Sequence, residues 1–154
     1  YIESGIPLAY GDNHEGYRIV GTEHSYVEHY GATLAKGKLW KSPFEVTAGA
    51  SVAENLGLRI GDTFFSAHGL KDQTDIHTNK TFTVVGILNS NGSVVDQLLL
   101  TPMESIWNVH LEDGEVVDAE TREITAMLLK KRNPLAVLTI PNTLRETNMQ
   151  VALP

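Results

Sequence analysis

Turn chemistry punctuates this chain from end to end. Its 13 glycines and 6 prolines are spread so that no long apolar stretch survives, and the best run is Val84 to Leu88. That is far below the ~20 residues needed to cross a bilayer. Only short strands and short helices fit between such interruptions. The length is still adequate for a packed core: at 154 residues, folding buries about two thirds of the unfolded surface without any staple. The chain has no cysteine, which excludes disulfide frameworks, thiolate zinc sites, iron–sulfur clusters and cysteine nucleophiles together.

Twelve basic against 19 acidic side chains leave a formal charge of −7, and the pI is near 5.3. No basic face is available to displace counterions from phosphates, so the sequence argues against nucleic acid as a partner. The one adjacent basic cluster, Lys130, Lys131 and Arg132, reads as a solvated strand end. Glu112, Asp113, Glu115, Asp118 and Glu120 run without a base between them, and clustered like charges prefer water, which makes this stretch a solvated loop. With 42% hydrophobic and 20% charged residues the composition is that of a globular, soluble chain. The sequence opens at Tyr1 without a methionine or an apolar leader, and reads as a piece of a longer product whose anchor lies outside it.

Local patterning gives the order of elements. Ile6 to Tyr10 and Tyr17 to Val20 are strand signals joined by the turn residues Gly11-Asp12-Asn13, a hairpin. His24 to Tyr30 lacks breakers, places Tyr26, Val27 and Tyr30 on one helical face, and stops at Gly31. Phe44 to Ala48 is a strand, and Ser51-Val52-Ala53-Glu54 has the form of a capping box opening a short helix that Gly57 ends. Thr63 to Ser66, Thr81 to Leu88 and Leu98 to Leu100 are further strands, with Asn89 to Gly92 as a loop. Thr101-Pro102-Met103-Glu104 is a second capping box with proline at the first helical position. Glu123 to Lys130 alternates as a strand, a helix begins at Asn133-Pro134 and is kinked or stopped by Pro141, and Met149 to Leu153 is a last strand. This order predicts an α+β fold with mixed sheets rather than a doubly wound parallel one.

Motifs for chemistry are absent. There is no phosphate loop, dinucleotide turn, nucleophile elbow, H-E-x-x-H pair or calcium loop. The histidines supply the one suggestive set: His68 and His77 bracket a loop holding Asp72 and Asp75, a nitrogen and oxygen donor set suited to zinc, although the spacing matches no standard ligand pattern. His14, His24, Glu28 and His29 read as polar surface residues, and His110 as a complement to a helix C-terminal dipole. Tyr10, Tyr17, Tyr26, Tyr30, Trp40, Phe44 and Trp107 could form a ligand face, but their strand and helix spacing reads as core.

Several motifs, in order, carry a resemblance. Gly16-Tyr17-Arg18-Ile19-Val20-Gly21-Thr22 precedes a helix and then Leu34-Ala35-Lys36-Gly37-Lys38-Leu39-Trp40. Further on come Gly49-Ala50-Ser51-Val52-Ala53-Glu54-Asn55-Leu56-Gly57, Gly61-Asp62-Thr63-Phe64, Phe82-Thr83-Val84-Val85-Gly86-Ile87-Leu88 and Leu99-Leu100-Thr101-Pro102-Met103-Glu104-Ser105. This succession resembles the extracytoplasmic domain of MacB/FtsX/Lol-type ABC transporter permeases, with Lys38 where the family usually has arginine.

The resemblance implies a porter-like β/α subdomain, residues 1–31 and 122–154, interrupted by an inserted small α/β (Sabre-like) subdomain, residues 32–121. It further implies that the porter-like part lacks its first strand and helix in this sequence. By the same resemblance the domain is non-catalytic and needs no cofactor. It is held on the periplasmic side of the inner membrane, and it couples ATP hydrolysis by a separate cytoplasmic ATP-binding subunit to conformational work on a periplasmic substrate, adaptor or lipoprotein. The permease is expected to act with a second copy of itself. The alternative expectation is a periplasmic zinc-binding module using His68, Asp72, Asp75 and His77.

Overall fold

In the computed structural model, residues 2–67, 76–109, 118 and 122–152 are described. Strand β1 (Ile2–His14) leads into β2 (Tyr17–Gly21), helix α1 (His24–His29), β3 (Leu34–Gly37), β4 (Glu45–Ala48), α2 (Ala50–Leu56), β5 (Thr63–Ala67) and β6 (Ile76–Leu88). A single 3-10 turn, Val94–Gln97, precedes β7 (Leu99–Thr101), α3 (Met103–Asn108), β8 (Ala126–Lys131) and α4 (Ala136–Thr143). The fold is α+β, as the sequence predicts. Among the described residues no helix is long and apolar enough to cross a membrane.

The strands form one mixed sheet in the order β2-β7-β4-β6-β5-β1-β8, with β3 added to β6. Because β2 also pairs with β1, the first six strands close on themselves into a ring. The β2–β7 and β4–β6 pairs are parallel and the others antiparallel. Outside the ring, β8 continues the sheet by pairing with the first half of β1, from Ile2↔Lys131 to Leu8↔Ala126.

Two cores lie on opposite faces of these strands. Ile19, Val46, Phe64, Phe82, Val84 and Leu99 converge with Val52 and Ala53 of α2 in the first. Val20, Leu88 and Leu100 point the other way and pack with Ile6, Leu8, Tyr26, Val27, Trp40 and Val95 in the second. The adjacent pairs Ile19/Val20 and Leu99/Leu100 thus send alternate side chains into different cores, as the two-residue strand period requires. Strands buried on both faces read as continuous apolar runs, which is why Leu98 to Leu100 shows no alternation.

Several local expectations need correction. Gly11-Asp12-Asn13 is not the hairpin turn: β1 continues to His14 through a register shift between Tyr10 and Asn13. The turn is Glu15-Gly16, with φ of 51° and 83°, the paired positive values of a two-residue hairpin loop; Asn13 Oδ1 accepts the Gly16 N–H. Neither capping box forms. Helix α2 starts two residues early with Gly49 as its cap, because Gly49 is pressed against the 3-10 turn, where a Cβ would clash with the Val95 carbonyl oxygen. Pro102 is the cap of α3 rather than its first residue, since Thr101 belongs to β7 and donates its hydroxyl to the Glu45 carbonyl at 2.7 Å. Strand β4 begins at Glu45 because Phe44 has φ of 65°, and β8 begins at Ala126 rather than Glu123. Pro141 lies inside α4 without ending it. Residues 149–152 are not a strand.

Candidate functional site

The zinc candidates fall outside what the structure describes. His68, Asp72 and Asp75 lie outside the described residues, and His77 falls in β6 with its side chain outside them. Among the described residues no group of three or more histidines and carboxylates is placed to hold a metal. His110 and most of the acidic run, residues 111–117 and 119–121, are likewise outside. Three histidines are placed. His24 and His29 are exposed on α1, and the His24 Nε2 lies 2.7 Å from the Trp40 carbonyl oxygen. His14 ends β1 and stacks on Phe64 with ring centroids 4.1 Å apart. Its burial lowers the pKa below 6.5 against the opposing effects of Glu15 and the Phe65 backbone. Of the aromatic residues, Tyr26 and Trp40 are buried in the second core, as expected of core residues. Tyr10 is exposed beneath the Arg18 guanidinium, and the Trp107 Nε1 donates to the Glu123 carbonyl.

What the geometry does define is a connection. From Ile2 to Leu8, β1 pairs with β8 in a two-strand arm; from Ala9 to His14 the same strand pairs with β2 and β5 in the ring. A two-strand ribbon is marginal by itself, so this arm needs an external seat. Ile6 and Leu8 provide it by entering the second core beside Trp40, Leu88 and Leu100, with Ala126 and Leu128 of β8 packed against the same cluster. Polar links lie at the junction: Thr22 donates to the Pro7 carbonyl at 2.9 Å, and the Thr125 N–H donates to the Leu8 carbonyl at 2.9 Å. At the far end Lys130 pairs with Glu3 at 2.9 Å, both exposed, a contact that contributes little to stability.

Two carboxylates that sequence reading did not single out hold loops that connect strands of the ring. Asp96 is buried and accepts from Ser90 Oγ, the Asn91 N–H and the Gly92 N–H at 3.0, 3.2 and 2.9 Å. Burial alone would raise its pKa, but these three donors outweigh burial and hold it below 3.8. The same loop bonds back to the α1 exit through Asn91 Nδ2 to the Tyr30 carbonyl and Asn89 Nδ2 to the Leu34 carbonyl. Glu45 accepts the Lys41 and Ser42 N–H groups at 2.7 and 3.1 Å, and these bonds, helped by Lys38 at 3.2 Å, lower its pKa. The available signal for Asp96 was a short acceptor a few residues after Asn89-Ser90-Asn91-Gly92, a stretch rich in turn donors.

The family model of the MacB-like periplasmic core domain matches residues 2–127, and the chain belongs to that family: it is a periplasmic domain of the MacB-like ABC transporter permease type. Two solved structures share the fold. The extracellular domain of the noncanonic ABC-type transporter YknZ from Gram-positive bacteria has a TM-score of 0.55 at 11% identity, over 90% of this chain and 70% of that one. The periplasmic region of MacB from Actinobacillus actinomycetemcomitans has a TM-score of 0.51 at 15% identity, over 97% and 78%. No curated protein sequence matches this one.

Proposed function

We propose that this domain is a non-catalytic mechanical element of its permease, which transmits ATP-driven movement of the membrane part to a periplasmic substrate or partner protein. ATP is hydrolysed in this reading by a separate cytoplasmic subunit, and the permease works with a second copy of itself and a periplasmic adaptor or lipoprotein. In this reading residues 1–31 and 122–154 are the porter-like part and residues 32–121 the insertion, and β2 with the second half of β1 from the first of these completes the ring of the second. The observation that carries the reading is β1: one strand runs from the arm into the ring, and its Ile6 and Leu8 sit in the same core as ring residues Leu88 and Leu100. A displacement of the arm is therefore delivered to the ring without an intervening flexible joint. Transmission requires two arrangements with different partner affinity, because a partner that binds both equally shifts nothing.

The test is a Gly-Gly insertion between Leu8 and Ala9, where β1 passes from its pairing with β8 to its pairing with β2, in the full-length permease with its ATP-binding partner. Two residues preserve the alternation of faces while loosening the joint. ATP hydrolysis is expected to persist while export or partner release falls by tenfold or more. Unimpaired transport by a folded insertion variant would refute the proposal.

A further inference from the structure

Strand β1 enters the ring by its own backbone, but β8, the other strand of the arm, does not. The chain arrives at β8 through residues 122–125, and this stretch is bonded to both parts of the molecule. The Thr125 N–H donates to the Leu8 carbonyl of the arm, while its hydroxyl accepts the Tyr10 N–H of the ring at 3.0 Å. The Glu123 carbonyl accepts from Trp107 Nε1 at 2.9 Å, and the Arg122 guanidinium lies 6.0 Å from the centre of the Trp107 ring. Trp107 belongs to α3, so this short helix holds the entry to β8.

Helix α3 is itself seated on the ring, against β1 and β2. Two glycines make room for Ile106 there. A Cβ on Gly11 would run into Ile106 Cδ1, and one on Gly21 would lie 2.7 Å from Ile106 Cγ1 and 2.9 Å from the Met103 Cα. The buried Ser105 hydroxyl adds a polar tie, accepting the Phe44 N–H at 2.8 Å. Ile106 and Val109 pack with the first core, whereas Ile6 and Leu8 enter the second, on the opposite face of the strands. A two-strand ribbon joined to a body by one strand and seated on one face is free to swivel about that strand; held at both strands and from both faces, it is not. We propose that α3 is a clamp that fixes β8 to the ring, with Ile106 as its seat and Trp107 as its grip. Its use rests on the reading above that movement of the arm is delivered to the ring: a clamped arm delivers twist as well as pull. Ile106 and Trp107 are positioning residues in this arrangement.

Native-state hydrogen exchange tests the clamp, read at the β8 amides bonded to β1 and, for comparison, at amides between β4 and β6. Trp107→Phe keeps an aromatic ring beneath Arg122 but removes the donor to Glu123. It is expected to speed β8 exchange about fivefold, the factor one ordinary hydrogen bond represents, with β4 and β6 unchanged. Gly21→Ala lifts α3, because no side-chain rotation relieves a contact with the Met103 backbone, and loosens β8 further. Should that variant not fold, a methyl transfer carries the same test. Gly11→Ala alone speeds β8 exchange, and adding Ile106→Val, which removes the Cδ1 that the new Cβ meets, restores it. The clamp is overturned if β8 exchanges as in wild type in Trp107→Phe, or if β4 and β6 lose protection in step with β8, which is general destabilisation. It is also overturned if the Gly11→Ala/Ile106→Val pair behaves like Gly11→Ala alone. Export by the full-length permease separates this from the reading it rests on. A Trp107→Phe permease with loosened β8 and unimpaired export contradicts transmission through the arm and leaves the clamp standing; unchanged β8 exchange removes the clamp and leaves transmission to β1.

Discussion

Asp96→Ala is the most informative single change, because the structure gives both its size and its pH dependence. The carboxylate is buried and receives three donors from residues 90–92. A hydrogen bond to a charged group contributes about 1.5–3 kcal/mol, and orphaned donors cost more when water cannot reach them. Here Ser90, Asn91 and Gly92 are themselves exposed, so water replaces part of what the acceptor provided. The expected loss is therefore about 2–4 kcal/mol at pH 7, well below three full contributions. The sign of the pH dependence follows from the lowered pKa of Asp96. A carboxyl depressed in the folded state contributes stability above its unfolded pKa of 3.8 and loses it as pH falls through the folded value. The gap between wild type and variant is constant from pH 7 to about pH 5 and narrows at more acid pH. Urea unfolding of both proteins across that range measures it. A difference under about 0.5 kcal/mol at pH 7, or a gap that does not narrow in acid, would refute the assignment of Asp96 as the lock of this loop.

Other consequences are as specific. Gly49→Ala, at an ordinary φ of −64°, is expected to cost about 3 kcal/mol or more, because the new Cβ clashes with the Val95 and Asp96 carbonyl oxygens; thermal melts check it. His14 has its pKa lowered by burial, so its neutral form is the one the fold accepts, and stability falls as pH drops below 6.5. His14→Phe keeps the stack on Phe64 and flattens the fall between pH 7 and 5; an unchanged slope by urea titration contradicts this. Zinc calorimetry separates the two readings: the transmission reading expects no saturable heat, and a saturable heat that His68→Ala with His77→Ala removes would establish the metal-binding alternative.

Much of the fold could be read from the residues because short-range chemistry decides it. The breaker-free run at His24 and the left-handed Gly57 place α1 and the end of α2 where they occur. The failures share a cause: tertiary contacts outweighed local preference. Ser51 and Thr101 satisfy the pattern of a helix cap, but Gly49 is fixed against residues 95–96 and Thr101 is drawn into β7 by the Glu45 carbonyl. Gly11-Asp12-Asn13 has turn chemistry that the strand absorbs as an irregularity, because Glu15-Gly16 supplies the hairpin loop. Strand β3 was invisible because its four residues are all exposed and lack a periodic apolar face. The role of β1 in joining arm and ring was equally hidden: it depends on which strands pair, and pairing brings Ile6 beside Leu128, residues far apart in sequence.

Native-state hydrogen exchange at graded urea reads the central claim, that arm and ring move as one body. If Ile6 and Leu8 seat the arm in the ring's second core, the β8 amides bonded to β1 share the urea dependence of amides in β2 and β7, and Leu8→Ala weakens both sets together. If β8 instead exchanges through a small opening with low urea dependence while β2 and β7 stay protected, the arm is a separate flexible flap and the transmission account is contradicted.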